Sequence, residues 1–206
     1  GFGFSSKPDN VEYSMDYFNG KLIEFADALE LNQFSLIGNS LGGALSLGLS
    51  LNKPERIKKL ILMGSGGIED METYNSMPGI QKLLSDFLGG EMNQEKIEGL
   101  LKLFPYDSSI ITDEMIEDRM QILPLMNPQV LASMKIPDLE DDLGKITHPM
   151  LVFWGMDDKF CPVSGASKIG QKCHDAQIIL FSRCGHWVMI EREEIFNQTC
   201  IDFLNR

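Results

Sequence analysis

The sequence predicts an α/β fold, a mostly parallel sheet flanked by helices, and three observations carry that prediction. Four short apolar runs, residues 34–38 (FSLIG), 57–63 (IKKLILM), 150–155 (MLVFWG) and 177–181 (QIILF), have the length and branched side chains of buried strands. Stretches with apolar residues at helical spacing alternate with them, and that rhythm favours a parallel sheet with helices on its faces. Between the first run and the helical pattern after it the chain must bend sharply, at Gly38-Asn39-Ser40-Leu41-Gly42.

Taken in order, the chain opens as a Gly/Ser/Pro-rich loop. Ser14 is placed to cap a helix whose apolar face is Phe18, Leu22, Ile23, Phe25, Ala26 and Leu29. After the first strand a helix is expected over 41–51, ending before Pro54, and the second strand closes on the GSGG turn at 64–67. Residues 68–146 change character. They are helical segments rich in Met and Leu, interrupted by Pro78, Gly89, Gly90, Pro105, Pro124, Pro128 and Pro137, with no clear strand. We expect a helical lid over 68–146 inserted into a core made of 1–67 and 147–206. The last part supplies the remaining strands, a helix over 163–173 and a closing helix over 191–204. Internal repeats and low-complexity stretches are absent from the sequence.

Composition narrows the function classes. With 206 residues, 43% of them hydrophobic, the chain can bury a substantial core. Thirty acidic against eighteen basic side chains give a net charge of -12, which repels a nucleic-acid backbone. No run approaches the roughly 20 apolar residues of a membrane span, and GFGFSSKPDN has neither a charged leader nor an apolar signal core. A cytoplasmic protein bound neither to membrane nor to nucleic acid is expected. Cys161, Cys173, Cys184 and Cys200 lack CxxC spacing and read as reduced, mostly buried thiols. The three histidines, His148, His174 and His186, form no ligand pair at helical spacing, so no metal and no cofactor is expected.

The bend carries the chemistry. GxSxG alone is a weak signal, but at a strand end that opens a helix it fits a nucleophile elbow. Glycine at 38, 42 and 43 would relieve crowding there and leave Ser40 strained, its hydroxyl in the open. The helix starting at Leu41 aims a free N–H back at Ser40, so the Leu41 amide is a candidate oxyanion donor. The alternative is a Gly-rich turn with Ser40 as a plain cap. A serine needs a base and an orienting carboxylate. Asp157 and Asp158 follow the third strand, and His186 follows the fourth. Loops after parallel strands gather on one edge, so Ser40, an aspartate and His186 are expected to converge in that order.

GFGFSSKP, GNSLGG followed by PERIKKLILMGSGG, WGMDDKFCP, and CGHW followed by FNQTCIDFL together resemble the α/β-hydrolase family, within it the meta-cleavage product hydrolases. The likeness covers nearly all of the chain. It implies Asp158 as the triad acid, with Asp157 the second choice. It also implies Arg119, in YDSSIITDEMIEDRMQIL, as the holder of a substrate carboxylate, against the alternative of a surface ion pair. Asn39 and Trp187 would line the pocket by the same comparison, although Trp187 could equally be core. Phe104, Met120 and Leu123 are candidates for its apolar wall, against plain packing.

The implied activity is hydrolysis of a C–C bond in a 2-hydroxy-6-oxo-2,4-dienoate by Ser40, His186 and Asp158, on a small-molecule substrate and in a homo-oligomer. Two alternatives stand beside it: a carboxylesterase with the same triad, and a ligand-binding sensor on the same fold. The Gly-rich His-Gly loop that supplies the family's second oxyanion donor does not occur in the sequence, nor does the strand ahead of GFGFSS. The N-terminal strands of the fold are therefore expected to be missing from this chain.

Overall fold

A computed structural model of the chain describes residues 1–88, 90, 92–125, 130 and 135–206. Gly89 and Pro128, two of the expected breaks, lie outside the described residues. The four runs are strands: β1 (Phe34–Asn39), β2 (Ile57–Met63), β3 (Met150–Gly155) and β4 (Ala176–Phe181). They form one sheet in the order β1-β2-β3-β4, with every neighbouring pair parallel. All four C-terminal ends therefore point to one edge, as the helical crossovers require.

Alternation along the central strands divides the core between two faces. Leu60, Leu62, Met150, Val152 and Trp154 pack on one side with Leu47, Leu49, Ala166 and Ile169. Those partners come from α2 (Leu41–Asn52) and from the helix Ser164–Lys172. Ile61, Met63, Leu151 and Phe153 pack on the other side with Val188, Phe196, Cys200 and Phe203. β3 is buried along its whole length, as a strand covered on both faces must be. β1 is an edge of the described sheet, and Ile37 on it is 54% exposed. Before it, α1 (Met15–Ala28) starts where Ser14 Oγ accepts from the Tyr17 N–H at 3.2 Å.

Between β2 and β3 the described residues contain helices and no strand: α3 (Met71–Ser76), α4 (Pro78–Leu88), α5 (Gln94–Leu101) and α6 (Asp113–Ile122). Pro78 opens α4 rather than breaking a helix, because a first-turn residue needs no N–H acceptor inside the helix. Ile97, Leu101 and Ile116 form a small separate core that closes on Trp187. The helix after β3, α7, spans Ser164–Lys172, one residue shorter at each end than expected. The closing helix is two pieces, α8 (Val188–Glu191) and α9 (Glu193–Leu204), because Arg192 leaves helical geometry at φ -134. Among the described residues no helix is long and apolar enough to cross a membrane.

One lysine holds both roots of the helical segment. Lys168 Nζ on α7 donates to Glu69 Oε2 and to Glu140 Oε2, each at 2.6 Å, and Ser164 Oγ donates to Glu69 Oε1 at 2.6 Å. Glu69 is 7% exposed, so without the lysine its charge would rest on one hydroxyl. Lys168→Met is expected to cost about 2 kcal/mol, between the exposed-pair and buried-pair ranges. Urea melts of the two proteins check it, and unchanged midpoints would remove the clamp. The two carboxylates, Glu140 first, hold the Lys168 ammonium above its usual 10.5. A group that titrates higher folded than unfolded stabilises fully below 10.5, so the lysine's part is lost in strong alkali, while Glu140, held below its usual 4.5 by Lys168, loses its part in acid.

Candidate active site

The bend after β1 has the expected strain. Ser40 sits at φ 54, ψ -115, a region that side chains rarely enter, and its N–H donates to the Met63 carbonyl at 3.0 Å. A Cβ at Gly38 would collide with the Gly42 carbonyl, and one at Gly43 with Ser65 Oγ. Gly42 differs from expectation: the space where its side chain would lie is open, so crowding does not require glycine there. The Leu41 N–H heads α2 and has no acceptor within the helix, as every first-turn amide lacks one.

Asp158 and His186 meet. His186 Nδ1 lies 2.7 Å from Asp158 Oδ2, and both side chains are 1% exposed. The other carboxylate oxygen accepts from the Phe160 N–H at 2.8 Å and the Cys161 N–H at 2.9 Å. With both oxygens fixed, Asp158 is an acceptor aimed at the ring, so Nδ1 carries the proton and Nε2 is left free as a base. Asp157 is exposed and spends its N–H on the Cys184 carbonyl at 3.0 Å.

The residue before the serine is tied to this pair. Asn39 Nδ2 donates to the Met63 carbonyl at 3.1 Å and to the His186 carbonyl at 3.2 Å, tying the residue before Ser40 to the histidine loop. Cys161, three residues past Asp158, feels the Ser40 side chain. Burial pushes the Cys161 thiol well above its usual range, the Asp158 carboxylate adds to this, and the Ser40 side chain offsets part of it. The thiol is thus protonated.

Gly64, after β2, lies against the pair. A Cβ there would stand 2.7 Å from Asp158 Oδ2 and 2.9 Å from His186 Nδ1, and the backbone is at φ 45. From the sequence, Gly64 reads only as part of a turn. Its contact with the pair comes from β2 lying between β1 and β3.

Beside this cluster α6 and Trp187 border a cavity of about 450 Å³, lined among others by Leu101, Met115, Asp118, Arg119 and Gln121. Arg119 therefore faces a cavity and shares it with Asp118. Trp187 lines the same cavity, and it is 7% exposed. Phe104 lies instead in a stack, its ring centroid 4.6 Å from Trp187 and 4.1 Å from Phe160, which in turn is 5.1 Å from the His186 ring. Met120 and Leu123 pack into the small helical core. Ser40 and His186 are not in the cavity lining.

A family model described as serine aminopeptidase, S33 matches residues 1–193. The chain belongs to the α/β-hydrolase family. This α/β-hydrolase is 39% identical over 189 residues to a 2-hydroxy-6-oxo-6-phenylhexa-2,4-dienoate hydrolase of Burkholderia cepacia, covering 86% of the chain and 65% of the relative. It is 31% identical to a 2-hydroxy-6-oxo-2,4-heptadienoate hydrolase of Pseudomonas putida, over 99% of the chain and 75% of the relative. Among solved structures it superposes on a meta-cleavage product hydrolase from Pseudomonas fluorescens with TM-score 0.85 at 28% identity, covering 99% of the chain and 76% of that structure. The chain thus spans about two thirds of the length of the first of these relatives. The four strands of this α/β-hydrolase carry Ser40, Gly64, Asp158 and His186 on the loops after their C-terminal ends, the edge where α/β proteins place ligands.

Proposed function

We propose that the protein is a serine hydrolase that cleaves the C–C bond of a 2-hydroxy-6-oxo-2,4-dienoate. The observation that carries this reading is the buried Asp158–His186 pair at 2.7 Å beside a serine held at φ 54. The names of the relatives supply the substrate class. Residues 68–146 act in this reading as a lid over the site.

Arg119, at the cavity, takes the substrate carboxylate as a fork of donors. His186 first moves the enol proton to carbon, giving the keto form, and then accepts the Ser40 proton as the serine oxygen attacks the distal carbonyl. The Leu41 N–H receives the developing oxyanion. Collapse breaks the C–C bond and releases the hydroxydienoate, with the proton returned from His186. The acyl group left on Ser40 passes to water. Asp158 keeps the imidazole in the working tautomer throughout.

Decay of a coloured dienoate, set beside turnover of a short p-nitrophenyl ester, tests this reading. Dienoate decay that vanishes in Arg119→Ala while ester turnover persists is the expected result. Ester turnover with no dienoate decay overturns C–C cleavage and leaves a carboxylesterase, a reading favoured by Asp118, which shares the cavity with Arg119 and offsets its charge. A protein that neither turns over ester nor reacts with a fluorophosphonate is a binding module instead. A homo-oligomer in the cytoplasm completes the reading, with sedimentation and cell fractionation as the checks.

A further inference from the structure

Glu191 closes the one-turn helix α8, five residues after His186, where a carboxylate gains nothing from the helix itself. Its partners lie elsewhere. Oε1 accepts from the Gly185 N–H at 2.9 Å, and Oε2 accepts from the Tyr106 N–H at 2.8 Å and from Gly185 at 3.0 Å. One carboxylate therefore joins the backbone just before His186 to a turn of the helical segment 85 residues away in the chain.

The two backbones it joins are already in contact. The His186 N–H donates to the Phe104 carbonyl at 2.7 Å. They approach so closely at Gly185 that a Cβ there would collide with that carbonyl and stand 2.8 Å from the Tyr106 nitrogen. Side chains add a second layer, since the Phe104 ring is stacked between Phe160 and Trp187. Without an acceptor the N–H of buried Gly185 would be left unpaired, a cost proteins avoid almost everywhere. A charged acceptor makes the stronger bond to each donor.

We propose that Glu191 is a positioning residue for His186: its carboxylate fastens the 104–106 turn to the Gly185–His186 backbone and so ties the imidazole's position to the seating of the helical segment. Asp158 orients the ring from its own side, and Glu191 holds the backbone that carries it. The proposal rests on the serine-hydrolase reading above. It assigns Glu191 no contact with substrate.

The experiment compares wild type, Glu191→Gln and Glu191→Ala in p-nitrophenyl acetate turnover and in the rate of fluorophosphonate labelling, each normalised to titrated active sites. Glutamine keeps the shape and one oxygen but turns an amide N–H toward a donor. Displacing a catalytic group by a fraction of its working distance costs about 10- to 100-fold in rate. We expect a loss of that size in kcat and in labelling for Glu191→Gln, and a larger one for alanine, with KM for the small ester changed by less than about threefold. A purely structural role would lower the number of titratable sites and leave the rate per site unchanged, and that result overturns the proposal. Should the alanine variant fail to fold, the glutamine variant decides alone. If the wild type neither labels nor turns over ester, the serine-hydrolase reading fails and the proposal falls with it. An active wild type with unaffected variants defeats the positioning role only.

Discussion

Replacing Ser40 with glycine is expected to abolish ester turnover and to raise the melting temperature. In the proposed mechanism the hydroxyl is the nucleophile, so its loss should lower kcat by about 10,000-fold or more, to the level left by binding and the oxyanion site. Stability moves the other way because of the backbone. At φ 54, ψ -115 a side-chain-bearing residue carries about 1–3 kcal/mol of strain, and glycine carries almost none. Against this stands the greater freedom of glycine in the unfolded chain, about 0.4–1 kcal/mol. The strain is the larger quantity, so a net gain of about 1 kcal/mol remains. Every backbone contact of residue 40 survives the change. Its carbonyl accepts from Gly43 at 3.0 Å, Ala44 at 3.2 Å and Gly66 at 2.9 Å. Calorimetry beside an ester assay checks both halves, and an inactive but less stable protein would mean that the bend holds no strain for function.

Asp158→Asn is the second large effect. The amide oxygen can keep the Phe160 and Cys161 N–H groups, so the loop should hold its shape. That choice turns the NH₂ group toward His186 Nδ1, which must then accept rather than donate. The proton moves to Nε2, the atom needed as base, and the imidazole cannot take the proton of Ser40. A wrong tautomer of this kind costs about 10,000-fold in kcat. Asp157→Asn serves as the comparison, since Asp157 is exposed and its side chain does not meet the ring. Near-normal kcat in Asp157→Asn with collapse in Asp158→Asn is expected. The reverse pattern would mean that the neighbouring aspartate orients the histidine.

The central strands were readable because burial on both faces demands continuous apolar runs, and those runs end where glycine and polar residues begin. Residues 57–63 and 150–155 are strands over the very span that periodicity marks. The bend at Ser40 was readable for a related reason, since Gly38 answers local crowding between a strand and the helix after it, whereas Gly43 makes room for Ser65 beyond β2. Asn39 was expected at the pocket wall, by resemblance. In the folded chain its amide is engaged by two carbonyls, one of them 147 residues away, a role that neighbouring sequence does not encode.

By itself the sequence determined the strand order of chemistry along the chain: serine at a bend, acid after the third strand, histidine after the fourth. Those assignments follow from patterns a few residues long, set by side-chain size and backbone freedom. Resemblance already favoured Asp158 over Asp157, and the ring contact agrees with it; tertiary structure alone decided that Gly64 must leave room for the pair and that Glu191 ties the histidine loop to Tyr106. Each of these is a contact of about 3 Å between segments distant in sequence, and such a contact depends on where the sheet and the helical segment bring their loops.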